Sequence, residues 1–267
     1  MKSPPDYAEH GASEITSIGC HTMLWDFQRN DYHDWVKAEG IVEKFPPIVK
    51  SGGKFKLPPD FDLAVGSGLH DSSAALIPYL ACFDEPFVLI STGTWCISLN
   101  PFNQEPLTPD ELAQDCLCYL SYEGKPVKAA RYFGGHEHEV QVKVLAAEFG
   151  VAEDFYQDMK NPRLRNLQGF VNVDSKYQVF MRQLIEKQVV STRLAIGNTP
   201  VKRIFVDGGF SKNQVYLTLM AEAFPEIEVF AAEVAQATAL GAAMAIHPCW
   251  NKKPLSKNLI SLQRIIA

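Results

Sequence analysis

The sequence predicts an α/β protein whose mixed sheet is flanked by helices, and three observations carry that reading. Phe87–Leu99 divides into two apolar runs around Ser91-Thr-Gly-Thr94, a hairpin with a tight glycine turn at its tip. The C-terminal half alternates: a helix over about Lys176–Ala195, a strand at Ile204–Val206, a helix near Gln214–Ala223, a strand at Ile227–Ala231 and a helix at Gln236–Ile246. Within that alternation, Arg203-Ile-Phe-Val206 ends abruptly in Asp207-Gly208-Gly209, which marks a buried strand, a tight turn and the start of a helix. Hairpin strands followed by helices and strands in turn make a mixed-sheet α/β pattern.

A chain of 267 residues is enough for one large domain or two small ones. Its hydrophobic fraction of 46% and charged fraction of 21% are ordinary for a globular protein. The formal net charge of -6 argues against nucleic acid or an anionic membrane as the main partner, and leaves room for a local basic pocket. No apolar run is long enough to span a bilayer, and Met1–Tyr7 contains no signal-peptide core, so the expected location is the cytoplasm. Six cysteines, Cys20, Cys82, Cys96, Cys116, Cys118 and Cys249, contain no CxxC pair and are expected as reduced thiols. Cys116 and Cys118 share one face of a strand, which fits core packing better than zinc, and no metal ligand set is expected from the chain.

The elements follow in order. Residues 1–50 begin polar, pass through Thr22–Asp26 and reach an aromatic-acidic helix at Tyr32–Glu39, ended by Gly40. Phe45-Pro-Pro-Ile-Val49 is held extended by its prolines, and Ser51-Gly-Gly53 and Leu57-Pro-Pro-Asp60 are loops. Leu63–Gly68 reads as a short strand meeting a glycine turn. Next come His70 and Asp71, then a helix over Ser72–Leu80 that Pro78 bends or ends. A helix over His136–Phe149 stops at Gly150. The Lys176–Ala195 helix presents Val179, Phe180, Leu184, Val189 and Leu194 as its apolar positions. Ala239-Leu-Gly-Ala-Ala243 is small enough to pack closely on a sheet, and Lys252–Lys257 is a solvated surface.

Three turns share one logic. Gly66-Ser-Gly-Leu-His70-Asp71 presents a carboxylate at the mouth of a strand. Ser91–Thr94 presents hydroxyls and backbone N–H groups, and Asp207–Asn213 presents a helix N-terminus with an amide side chain. Phosphoryl transfer needs this set, because N–H-rich turns hold phosphate oxygens and a lone carboxylate accepts an alcohol's proton. Each residue also has a plain structural use. Asp71 serves as well as a helix cap, Thr92 and Thr94 as strand residues, and His70 as a packed structural histidine.

Taken in order, these motifs resemble the C-terminal part of the FGGY family of carbohydrate kinases, over about Glu14–Ile246. Glu14–Thr22, Leu24-Trp-Asp26 and Pro46–Val49 resemble the end of that family's N-terminal domain. Gly68-Leu-His-Asp71 resembles the turn that bears the family's catalytic base, and the histidine before it is most like the rhamnulose and fuculose kinase branch. Ser91-Thr-Gly-Thr94 resembles the second phosphate-binding motif. Val206-Asp-Gly-Gly209 with Asn213 resembles the adenosine motif, and Gln236–Ala243 the helix after it.

The resemblance implies an actin-like ATPase, ribonuclease-H-like fold that uses ATP and Mg2+ to phosphorylate a sugar hydroxyl of a ketose or polyol. It makes Asp71 the catalytic base and His70 a sugar contact. It assigns Gly93 and Thr94 to the phosphates, and Gly208, Gly209 and Asn213 to the adenosine side. It divides the chain into 1–65 (the end of the N-terminal domain), 66–250 (the nucleotide-binding domain) and 251–267 (a tail). Its partners are then a small-molecule sugar and ATP, with a homodimer left open.

One family feature has no counterpart. Nothing in residues 1–60 matches the Asp-containing glycine turn that opens the family's N-terminal domain and positions magnesium. The expectation is therefore a C-terminal portion, with magnesium ligands supplied mainly elsewhere, that binds nucleotide weakly and turns over sugar poorly. The alternative is a non-catalytic actin-like nucleotide-binding or regulatory module. A dinucleotide enzyme is disfavoured, because Gly-x-Gly-x-x-Gly is absent at 207–213.

Overall fold

A computed structural model describes residues 11–56, 64–157, 159, 172–234, 236–256 and 258–266. The expected loop at Leu57–Asp60, the first residue of the strand read at Leu63–Gly68, and the N-terminal Met1–Tyr7 lie outside them. The chain packs as two compact units, each assembled from separate segments. One comprises Met1–Asp84, Cys118–Val127 and Ala235–Leu259; the other comprises Glu85–Leu117, Lys128–Val234 and Ile260–Ala267.

The second unit holds the mixed sheet. Its seven strands lie in the order Ser261–Ile265, Glu228–Glu233, Arg203–Gly208, Phe87–Thr92, Cys96–Asn100, Pro126–Tyr132, Cys116–Leu120. The chain passes out of this unit within the last-named strand and returns within Pro126–Tyr132. Glu228–Glu233 and Phe87–Thr92 both run parallel to Arg203–Gly208, whereas Phe87–Thr92 pairs antiparallel with Cys96–Asn100. The central strands are buried on both faces, as their near-continuous apolar runs require. Register matters most for function. Asp207 lies opposite Ser91 and Gly208 opposite Thr92, so both glycine turns leave the sheet at the same carboxyl edge.

Ser261–Ile265 was not foreseen. It forms an antiparallel edge strand on Glu228–Glu233, and its apolar residues are too few to stand out from the polar C-terminal stretch.

The helix read at Lys176–Ala195 runs Val173–Ile196, and its buried face is broader than the expected apolar positions, of which Leu184 is buried and Phe180, Val189 and Leu194 pack at the margin of the core. Tyr177, Met181, Leu184, Ile185, Gln188, Thr192 and Ala195 recur at helical spacing and are buried, while Val179 is exposed. Counting apolar residues missed the rest of this stripe because part of it is polar. Gln188 donates to Ser98 Oγ (3.2 Å) and Thr192 Oγ1 (3.1 Å). Gly150 ends the preceding helix, Gly134–Phe149, in the left-handed conformation at φ 64.

In the first unit the helix runs Asp71–Cys82 straight through Pro78. Proline removes the N–H that the carbonyl of Ala74 would accept one turn earlier. At that carbonyl the helix Ala237–Ala245 packs: a Cβ on Gly241 would lie 1.8 Å from Ala74 O. The small residues of this segment therefore serve helix-on-helix packing, not the helix-on-sheet contact expected for them. Ile77, Met244 and Ala245 form the adjoining apolar cluster.

A buried glutamate organises the start of the same unit. Glu14 accepts from Thr16 N (3.0 Å), Thr16 Oγ1 (2.5 Å) and Ser17 N (3.1 Å), and also from Ser51 Oγ. Thr16 Oγ1 in turn accepts the backbone N–H of His70 at 2.9 Å. The His70–Asp71 turn is thereby tied to a desolvated carboxylate through a single hydroxyl.

Candidate nucleotide-binding pocket and candidate base

Thr92 joins the two glycine turns of the second unit. Its Oγ1 donates to Asp207 O (2.5 Å) and accepts the N–H of Phe210 (2.9 Å). Gly208 follows with φ +88, where a Cβ would stand 2.0 Å from Thr92 O. No side chain fits there, so the turn requires glycine on both conformational and packing grounds. Gly135 makes a second close approach, since its Cβ would lie 1.7 Å from Gly93 O. Gly93 itself faces open space, with nothing within 4 Å of its own Cβ position.

Between these turns lies a cavity of about 600 Å³, lined by Thr92, Gly93, Gly135, His138, Tyr156, Gln157, Gly209, Phe210, Lys212 and Asn213. This volume is in the range of small-molecule and cofactor sites. The sequence-expected Gly93, Gly209 and Asn213 come together here. Gly208 and Thr94 are not among the lining residues: Gly208 shapes the turn, and Thr94 O accepts the N–H of His136 at 3.0 Å. The helix does not start directly at the double glycine. A short 3-10 turn, Gly209–Lys212, intervenes, and Asn213 caps the helix Gln214–Ala223 by accepting from Tyr216 N at 3.0 Å.

That cap fixes the rest of the network. With Oδ1 used, Asn213 Nδ2 donates to Tyr177 Oη at 2.7 Å, and Tyr177 Oη lies 2.8 Å from His138 Nε2. Burial pushes the His138 pKa down to about 4, so the ring is neutral at pH 7. Aromatic rings back the cavity. Phe210 stacks on Tyr216 at 4.3 Å, and His138 meets Phe210 and Tyr156 edge-on at 5.0 and 4.8 Å. Apolar faces, a fixed amide, an exposed lysine and glycine turns stripped of side chains suit a planar base with an anionic tail.

Sequence reasoning missed Gly135, His138, Tyr156, Gln157, Phe210 and Lys212 as lining residues. Gly134-Gly135, the first two residues of the helix Gly134–Phe149, carries the same double-glycine signal as Gly208-Gly209. Tyr156 and Gln157 sit in an irregular segment with no local signal.

His70 and Asp71 belong to the first unit. His70 precedes the helix Asp71–Cys82 in extended conformation, and Asp71 is its first residue, not its cap. The Asp71 carboxylate accepts Ser72 N at 2.6 Å, lies 3.4 Å from His70 Nε2 and is 77% exposed, open to a ligand. Burial lowers the pKa of His70, partly countered by the Asp71 charge.

The seven-stranded mixed sheet flanked by helices is the α/β fold of the actin-like ATPase class. Two family profiles match in succession: "Carbohydrate kinase FGGY, C-terminal domain" over residues 84–163, and "FGGY family of carbohydrate kinases, C-terminal domain" over residues 163–246. Together they cover more than half of the chain, which belongs to the FGGY family of carbohydrate kinases as a C-terminal part.

No curated protein sequence matches the chain. Among solved structures, a carbohydrate kinase from Novosphingobium aromaticivorans is similar with TM-score 0.71 and 26% identity, over 97% of this chain and 62% of that one. A gluconate kinase from Lactobacillus acidophilus (TM-score 0.72, 13% identity, 92% and 57% covered) shares the fold. So does a xylulose kinase from Bifidobacterium adolescentis (TM-score 0.66, 15% identity, 88% and 55% covered). The chain thus spans less than two thirds of the length of each of these kinases. Among the described residues, no helix is long and apolar enough to cross a membrane.

Proposed function

We propose that this chain is the nucleotide-binding portion of an ATP-dependent carbohydrate kinase. The observation that carries the reading is the cavity between the Thr92–Gly93 and Gly208–Gly209 turns, where register and missing side chains leave room for a nucleotide. Gly93 and Thr94 would flank the phosphate oxygens at this turn, and Lys212 would add positive charge. Gly209 and Asn213 would border the base, with Phe210 and Tyr156 as its apolar walls. The accompanying Mg2+ would neutralise phosphate charge, held chiefly by phosphate and water, and no residue here is assigned to it. Asp71 would accept the proton of a sugar hydroxyl as that oxygen attacks the γ-phosphate, and His70 would contact the sugar. Sugar and ATP are then the small-molecule partners, and the sugar is a ketose or polyol.

Calorimetric titration of ADP and ATP into the chain is the first test. Saturable binding, weakened about tenfold in Lys212→Ala for ATP, is expected. No binding at millimolar nucleotide would sink the assignment. Sugar-dependent ADP formation should then fall about 10²–10⁴-fold in Asp71→Asn while ADP affinity holds. Unchanged turnover removes Asp71 from the chemistry, and nucleotide binding without any sugar-dependent turnover favours the non-catalytic module.

A further inference from the structure

The first unit contains a group of side chains that the nucleotide pocket does not use. Cys20, His21 and His70 each direct a ligand atom into one place, and these atoms all lie within 4.8 Å of one another. Cys20 Sγ stands 3.0 Å from His70 Nε2. The two backbones that carry them are anchored separately. Gly19 O accepts Leu120 N at 2.9 Å, and a Cβ on Gly19 would meet Leu120 Cδ1 at 2.3 Å, so glycine alone lets the chain turn into Cys20 against that strand. His70 is fixed from the other side by the Thr16 hydroxyl.

We infer that Cys20, His21 and His70 form a site for a thiophilic divalent cation of the Zn2+ class. A thiolate with two imidazoles is a donor set for such ions, and three protein ligands leave a fourth position open. At ordinary Zn–S and Zn–N bond lengths the ligand atoms of a tetrahedron stand about 3.5 Å apart, so small side-chain rotations close the site. Burial is graded in the way entry requires: Cys20 is buried, His70 is half-buried and His21 is exposed. His70 Nδ1 is also buried without a hydrogen-bond partner among the described residues, so hydrogen bonding alone does not account for the ring's placement. The exposed Asp71 carboxylate lies 3.4 Å from His70 Nε2. On binding, the Cys20 thiol gives one proton to solvent and its sulfur forms the metal bond, with both imidazoles neutral. The spacing hides this set from sequence: Cys20 and His21 are adjacent, whereas the third ligand lies 49 residues beyond His21.

The test is titration of the reduced, chelator-treated chain with Co2+, followed by displacement with Zn2+. A thiolate-to-cobalt charge-transfer band that saturates at one equivalent and is bleached by Zn2+ is expected. His21→Ala, a change at an exposed residue that leaves the core intact, should weaken Zn2+ binding at least about tenfold, and Cys20→Ser should abolish the band. Absence of the band at saturating Co2+ overturns the proposal. So does a band that survives in Cys20→Ser, which would arise from another cysteine, and so does Zn2+ affinity unchanged in His21→Ala. The readout is spectroscopic, so its failure is distinct from failure of the kinase reading.

Discussion

Replacing Gly208 by alanine tests the geometry of the nucleotide turn most directly. Gly208 has φ 88 and ψ -146, a region that only glycine occupies comfortably. Backbone strain of this kind costs about 1–3 kcal/mol. The added methyl would also lie 2.0 Å from Thr92 O, a backbone atom that cannot swing aside. Relief requires the two strands to part where Asp207 and Gly208 pair with Ser91 and Thr92. The Thr92 hydroxyl bonds to Asp207 O and Phe210 N are then lost as well, at about 1 kcal/mol each. The sum is about 3–5 kcal/mol, or a fall in Tm of roughly 6–20 °C for a unit of this size. Differential scanning calorimetry with and without ADP measures it. Gly93→Ala is the companion, because its methyl meets nothing within 4 Å and should change stability by less than about 0.5 kcal/mol. A Gly208→Ala protein as stable as the parent would refute the reasoning, since neither strain nor overlap could then be real.

Other outcomes follow from features already described. His138 has a depressed pKa in the folded state, about 4 against about 6.5 when unfolded, so the unfolded chain takes up a proton first as pH falls. Its contribution is complete above pH 6.5 and is lost on going down toward pH 4, to a total on the order of 3 kcal/mol; urea melts from pH 7 to 4.5 should show that slope reduced in His138→Gln. Lys128 is 2% exposed and pairs with Glu111 at 2.8 Å. Glu111→Ala should therefore cost about 3–5 kcal/mol by stranding a buried ammonium, whereas Lys128→Met should be nearly neutral, both read by chemical denaturation. Gly241→Ala should destabilise the first unit by about 2–3 kcal/mol, since its Cβ would lie 1.8 Å from a backbone carbonyl; hydrogen exchange in Asp71–Cys82 would reveal it, and unchanged protection would count against the packing described.

The parts legible in sequence were those with local physical causes. The Phe87–Asn100 hairpin, the Arg203–Gly208 strand and its glycine turn follow from apolar runs broken by residues that only turns need. Gly93 and Gly209, both in the cavity lining, stood out in the sequence because glycines mark where a backbone must stay bare. The polar part of the buried stripe of Val173–Ile196 was not legible because Gln188 donates to Thr192 and Ser98 inside, a pairing visible only once Ser98 is placed beside the helix. Tyr177 was beyond reach for a similar reason. Its value lies in bridging His138 and Asn213, which are distant in sequence. Packing units built from three separate segments likewise have no expression in a linear boundary.

The contact between Gly241 and Ala74 gives Pro78 a meaning beyond a tolerated irregularity. By withdrawing one amide, the proline leaves a notch in the helix that begins with Asp71, and a glycine from near the other end of the chain occupies it. The candidate base is thus seated by a latch whose two halves are the first and last segments of its unit. Alterations at residue 241 should be felt at Asp71 as a change in reach, although neither residue touches the other's ligands.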